Sequence, residues 1–322
     1  MTEVGIRERP TGPAKGPPTG LRAGDSPQRV TFDAILPATM ALRAEESGVR
    51  RVSTDGLTLL VLSILAGAFI SFGAIFATTV SAESIALAGA RGAGEYSAGL
   101  PYGVVRLLAG LVFSVGLILV VVGGAELFTG NNLVVMAWAS GKVRTRDLLF
   151  NWVVAFVGNF AGAFATAALM FLTTQYTFGG GSVGLVALAT AEAKTSLAFI
   201  PAVTLGIMCN ALVCLAVWMC FSARTTVDRV VAIIPPIAAF VAAGFEHCIA
   251  NMYFIPIGLF IKTGAPQSFW LSIGKTAADF PALTWRNFLF ANLLPVTAGN
   301  IIGGSVMVAA VYWFVYLRSR RG

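Results

Sequence analysis

The chain predicts an all-α membrane protein with six transmembrane helices in an inverted 3+3 repeat, helices 2 and 5 being broken. Three observations predict it. The first is composition: of 322 residues, 57% are hydrophobic and only 11% charged, against about 25% charged in ordinary globular domains. So little charge cannot cover a soluble surface, which excludes a cytosolic enzyme, a disulfide-stapled scaffold and a nucleic-acid-binding domain. The second is the length of the uncharged stretches. No Asp, Glu, Lys or Arg lies between Asp147 and Glu192, or between Arg286 and Arg318, and about 20 apolar residues suffice to cross a hydrocarbon core. The third is internal likeness. Gly124-Ala125-Glu126 is followed by Asn131, and Gly244-Phe245-Glu246 by Asn251 at the same offset. Gly158-Asn159 leads to Gly162 just as Gly299-Asn300 leads to Gly303. The motifs fall in spans two and five, then three and six. An odd number of spans per half forces the halves into opposite orientations.

Taken in order, residues 1–32 are rich in Pro, Gly, Lys and Arg and read as a disordered basic tail on the cytoplasmic side. No apolar stretch follows Met1 closely enough for a cleaved signal peptide. Residues 33–48 read as an interfacial helix, with Pro37 early, Met40, Ala41 and Ala44 on one side, and Gly48 as its cap. The transmembrane domain occupies 56–317, and 318–322 form a short cytoplasmic tail. Its spans fall at Gly56–Val80, 103–138, 148–173, 197–222, 230–261 and 287–317. A polar loop with Glu83, Arg91 and Glu95 separates the first two. The second and fifth spans are too long for one crossing, and each is interrupted at its Gly–Glu motif.

The net charge of +7 is placed by orientation rather than by an anionic polymer. The N-terminal cluster, Lys142, Arg144, Arg146, Arg224, Arg229 and Arg318 share one side, leaving Arg91, Arg106, Lys194, Lys262, Lys275 and Arg286 on the other. An excess of Lys and Arg marks the cytoplasmic face, so both termini are expected in the cytoplasm. Cys209, Cys214, Cys220 and Cys248 sit in apolar segments without CxxC spacing and read as small buried hydrophobes. No metal site or cofactor is expected.

Broken helices in corresponding positions point to a transport site near the membrane midplane, because backbone unwound there must be satisfied by protein or by water in a cavity. Glu126 and Glu246 lie at the two breaks. Their repeated placement reads as structural acceptors for the freed amides, with a cation or proton site as the other reading. His247, the single histidine of the chain, stands beside the second break, where an ionisable group is a functional candidate by default. A lone histidine also excludes a bis-histidine haem subunit. Lys194 is either a flanking lysine reaching for the interface or a cation that concentrates anions at a pore mouth.

Glu126-Leu127-Phe128-Thr129-Gly130-Asn131, Gly206-Ile207-Met208-Cys209-Asn210, Val213-Cys214-Leu215-Ala216-Val217-Trp218 and Gly244-Phe245-Glu246-His247-Cys248-Ile249-Ala250-Asn251-Met252 resemble the signatures of the formate/nitrite transporter family. The resemblance runs from Pro37 to Arg318. It implies an aquaporin-like protomer within a homopentamer in the bacterial inner membrane, and carriage of small monovalent anions: formate first, nitrite or hydrosulfide as alternatives. It further implies that Thr129 faces His247 from the loop of the second span and that Asn210 lines the path nearby. Leu117, Leu127 and Phe128 would form the cytoplasmic constriction, Phe113 and Phe240 would narrow the outer side, and Lys194 would be the vestibule cation. The long Pro-rich N-terminus departs from the compact one usual in the formate branch.

A bare anion entering an apolar constriction loses solvation worth several kcal/mol. The expected remedy is entry eased by Lys194 and passage completed by His247, which shares or donates a proton. In water that donation from imidazole to a carboxylate runs uphill by about 3.5 kcal/mol, so a hydrogen bond without transfer is the competing mode. A neutral-solute or water channel shares the architecture but lacks an Asn-Pro-Ala pair at the breaks. A membrane anchor subunit of an enzyme would need no continuous pore.

Overall fold

The computed structural model describes residues 35–82 and 100–321. The tail at 1–32, the start of the helix expected at 33 and the loop with Glu83, Arg91 and Glu95 lie outside the described residues. Every element among those described is helical, and six helices are long and apolar enough to cross a membrane.

The first half begins with α1 (Pro37–Val52), where Pro37, which has no N–H, sits in the first turn where an N–H would lack a partner, and Arg50 and Arg51 face the negative end of the helix. The expected boundary at residue 48 is corrected. Gly48 lies inside the helix against Val134 and Ala137, where an added Cβ would stand 2.9 Å from that of Ala137, and Ser53 closes the helix instead. Next, α2 (Gly56–Val80) starts at Asp55, whose carboxylate accepts from the Thr58 amide. Its polar residues are satisfied inside the helix: Ser63 donates to Leu59 O at 2.6 Å and Ser71 to Gly67 O at 2.8 Å. Such back-bonding lets hydroxyls sit in an apolar span. The second span is α3 (Tyr102–Gly123), a break, α4 (Phe128–Asn131), a tight turn and α5 (Val135–Ala139). The third is α6 (Thr145–Leu172).

The second half repeats this order. The structure inserts a helix that hydropathy does not reveal, α7 (Ser182–Thr195), after the glycines at 179–181. Lys194 therefore stands near the end of α7, not on the fourth span, which is α8 (Phe199–Cys220). Span five is α9 (Thr226–Ala243), entered through a Thr225–Asp228 capping box, and α10 (Cys248–Gly264). The short α11 (Gln267–Ile273) then leads to the sixth span, α12 (Trp285–Tyr316). Unlike α6, α12 opens into π-turns over Phe288–Leu293 and Ile302–Ala310.

Packing follows the repeat. α2 lies against α3 and α6, α8 against α9 and α12, and α3 against α9 where the halves meet. The G-N-x-x-G motifs set the closest approaches. A Cβ on Gly162 would stand 1.9 Å from Ile64 O, and one on Gly303 2.1 Å from Ile207 O. Only glycine allows these backbones to touch, the usual device where lipid removes any hydrophobic drive between helices. With α1 matched by α7, each half is a leading helix followed by three spans, the middle one broken.

Candidate functional site

Each break begins where a helix stops on a left-handed glycine, Gly124 at φ 76° and Gly244 at φ 78°, a conformation a Cβ disfavours. The chain then crosses three more residues before helix resumes at Phe128 or Cys248. The freed groups are met by the same residues twice. Asn159 Nδ2 donates to Ser63 O (2.7 Å) and Glu126 O (2.9 Å), while its Oδ1 accepts from the Phe128 amide (2.9 Å). Asn300 Nδ2 donates to Gly206 O (2.8 Å) and Glu246 O (3.0 Å), and its Oδ1 accepts from the Cys248 amide (2.9 Å). Each asparagine rivets a break to the span beside it.

The carboxylates, Glu246 buried and Glu126 half-buried, sit in a second matching network. Glu126 Oε2 accepts from Arg51 (2.9 Å) and from Asn131 Nδ2 (2.9 Å), and Asn131 also donates to Asn151 Oδ1. Glu246 Oε1 accepts from Lys194 Nζ (2.8 Å), and its Oε2 from Asn251 Nδ2 (2.7 Å) and Asn292 Nδ2 (3.2 Å). Asn151 donates to Arg51 O and Asn292 to Lys194 O. Arg51 and Lys194 are thus counterparts on α1 and α7. Sequence reading missed Arg51, Asn151 and Asn292. The asparagines had a signal, since Asn151 precedes Asn159 by the spacing that separates Asn292 from Asn300. Lys194 is no flanking lysine: its side chain is 14% exposed and its charge is shared with Glu246.

Superposed on this frame is a pair without a counterpart. His247 Nε2 and Thr129 Oγ1 are 3.1 Å apart, both residues being buried. His247 is also the N-cap of α10, its Nδ1 accepting from the Ala250 amide at 3.1 Å. An accepting Nδ1 puts the proton of neutral imidazole on Nε2, which then donates to Thr129 Oγ1. The threonine hydroxyl proton is left to donate elsewhere, and no other described residue bonds it. Asn210 Nδ2 donates to Thr129 O (3.3 Å) and Asn300 O (2.7 Å), and the Cys214 thiol to Thr129 O (3.3 Å). The sequence-predicted Thr129, His247 and Asn210 therefore meet in one cluster.

A cavity of about 1060 Å³ descends to His247 beside Lys194, Glu246, Phe113 and Phe240. The Phe240 ring lies stacked 6.0 Å from the imidazole, and the Phe113 ring stands edge-on to Phe240 at 5.6 Å. Such a volume lies at the top of the range for ligand pockets, about 300–1,000 Å³, and is too large to discriminate among ions of a few atoms. Leu117, Leu127 and Phe128 are buried and absent from the cavity wall, and the Phe128 ring packs edge-on against Phe156 at 5.2 Å. On the far side, Gly130, Arg51 and Phe221 border a void of about 10 Å³, the size of one water.

Residues 38–314 match the model of the family described as formate/nitrite transporter. The chain belongs to that family. Among its members, "Formate channel FocA" of Escherichia coli (strain K12) is 44% identical over 287 residues, covering 89% of this chain and 96% of that relative. "Formate channel FocA" of Haemophilus influenzae (strain ATCC 51907 / DSM 11121 / KW20 / Rd) is 37% identical over 281 residues, 87% and 94% of the two chains. A solved family structure titled "Pentameric formate channel with formate bound" superposes with a TM-score of 0.73 at 45% identity, covering 82% of this chain and 98% of the other.

Proposed function

We propose that the protein carries formate across a bacterial inner membrane, as a homopentamer with both termini in the cytoplasm. The observation that carries transport is the buried Thr129–His247 pair, 3.1 Å apart, whose imidazole lines a deep cavity while its threonine lies behind the cavity wall. That the anion is formate rests on the likeness to relatives bearing that name. The orientation rests on the Lys and Arg asymmetry of the flanks.

The pair meets an anion with neutral donors. His247 Nε2–H donates to Thr129 Oγ1, and the threonine O–H donates onward to the ion, so each bond polarises the next. Hydrogen bonds to a charged partner are worth about 1.5–3 kcal/mol each, and two or three offset the several kcal/mol of lost solvation. Proton donation is harder for this geometry. An imidazolium would direct an Nδ1–H at the Ala250 N–H that now donates to it, so protonating His247 requires opening the cap of α10. Formate thus crosses as the anion, past Phe113 and Phe240 and then the Leu117, Leu127 and Phe128 constriction, with Asn210 holding the Thr129 carbonyl in place. Uptake of formate, with nitrite and hydrosulfide as competitors, by reconstituted liposomes tests the substrate. Formate is expected to compete best, and preference for either rival overturns the assignment. Simultaneous proton uptake tests the mode: a fixed one-to-one proton-to-formate ratio that His247→Phe abolishes would show the relay instead.

A further inference from the structure

The positive charge of the vestibule does not reside where the sequence reading puts it. Lys194 lines the cavity, but so does Glu246, and the two are 2.8 Å apart. As a pair they add little net charge to an approaching ion. A second cation lines the same cavity: Arg106, on α3. Its Nε donates to Ala242 O at 3.2 Å and its Nη2 to Val241 O, and among the described residues no carboxylate pairs with it. These carbonyls belong to the last turn of α9, at the Gly244 break. A helix C-terminus carries roughly half a negative charge and would repel an anion entering the cavity. Arg106 covers that end and outweighs it. Two of the five guanidinium N–H donors are committed to the carbonyls, which leaves three, on a side chain that is partly exposed.

We propose that Arg106 is the anion-concentrating residue of the vestibule, its spare N–H donors taking a carboxylate before the ion reaches His247. Lys194 then serves to neutralise Glu246. The substrate in this assignment rests on the formate reading above, whereas the electrostatic part does not. The fork of a guanidinium suits the two oxygens of a carboxylate, so the residue sets affinity at the mouth rather than the rate of crossing.

The test separates the two. A Tyr102→Cys substitution places a thiol on the cavity rim, where Tyr102 is 79% exposed. Its reaction rates with an anionic and a cationic thiosulfonate report the local potential whatever the protein transports. The anionic-to-cationic rate ratio is expected to fall about three- to tenfold in Arg106→Gln, and to survive in Arg106→Lys and in the double variant Lys194→Gln/Glu246→Gln. An unchanged ratio in Arg106→Gln overturns the proposal, as does an equal fall in the double variant. Should Arg106→Gln not assemble, Arg106→His gives the answer in one sample: the ratio drops as pH rises through about 6.5, and a pH-independent ratio counts against Arg106. In formate uptake, Arg106→Gln raises half-saturation with maximal flux within about twofold, and Arg106→Lys restores it. Loss of maximal flux in both variants would mark a structural clamp. A protein that moves no formate but shows the ratio change refutes the substrate, not Arg106.

Discussion

The two breaks use one plan for support and differ where a ligand passes. Glu126 and Glu246, Asn131 and Asn251, Asn151 and Asn292, and Asn159 and Asn300 occupy equivalent places, and even the carbonyls of Arg51 and Lys194 accept from matching amides. At the resumption of helix, however, Leu127 stands opposite His247 and Thr129 opposite Ile249. One break contributes the imidazole and the other the hydroxyl. Duplicated parts solve the problem that duplication creates, namely unwound backbone in a water-poor layer. The parts that differ have no such duty, and they converge on one point between the halves. A smaller difference lies in the networks. Arg51 donates to both Glu126 and Asn131, whereas the buried Asn251 Oδ1 has no partner among the described residues.

The comparison is broken most severely at the carboxylates. Glu246→Leu leaves the half-buried Lys194 ammonium without its partner, at a cost approaching about 3–5 kcal/mol, and Glu126→Leu takes the carboxylate from Arg51, at a smaller cost because Arg51 is more exposed and keeps its bond to Asn131. Both variants are expected to lose assembled protein on size-exclusion chromatography. If only one does so, the two networks are not equivalent supports. Next come the rivets. Asn159→Ala and Asn300→Ala each orphan buried backbone groups worth about 1–3 kcal/mol apiece, and both should lower the melting temperature of the detergent-solubilised protein by similar amounts. The asymmetric positions sharpen the contrast. Thr129→Val removes one hydroxyl and should cut formate flux about tenfold, roughly the value of one hydrogen bond to an ion, with little change in melting. Ile249→Val at the matching place should alter neither. Equal losses of flux from both would dismiss the division between frame and site.

The smallest effect lies outside the membrane. The bond from Thr58 holds the Asp55 carboxyl at the start of α2 below the usual carboxylate range. A carboxyl with a depressed folded-state value stabilises the fold above about pH 4, its unfolded value, and loses that contribution as pH falls through the folded value. Asp55→Asn should therefore flatten the acid limb of a melting-temperature profile slightly and leave formate flux at pH 7 unchanged.

The amino-acid sequence by itself determined that the chain crosses a membrane, where the spans lie to within a few residues, that two are broken, and that the halves repeat. Apolar run length, glycine and matched spacing are properties read along one dimension, and lipid admits few other arrangements for them. The offset of Asn131 from Glu126 belongs here too, whereas the bond between the two side chains is seen only in the folded chain. What tertiary structure alone decided depends on residues far apart in the chain. Arg51 reaches Glu126 across 75 positions and Lys194 reaches Glu246 across 52. Composition cannot tell a paired lysine from a free one, so the pairing of Lys194 with Glu246 became visible only when the helices were packed. Helix α7 and the π-turns of α12 were likewise invisible, because the contacts that hold them come from neighbouring helices rather than from their own periodicity. The orientation of His247 is the sharpest case: a local cap at Ala250 fixes which nitrogen bears the proton, and the opposite half of the molecule supplies the hydroxyl that receives it.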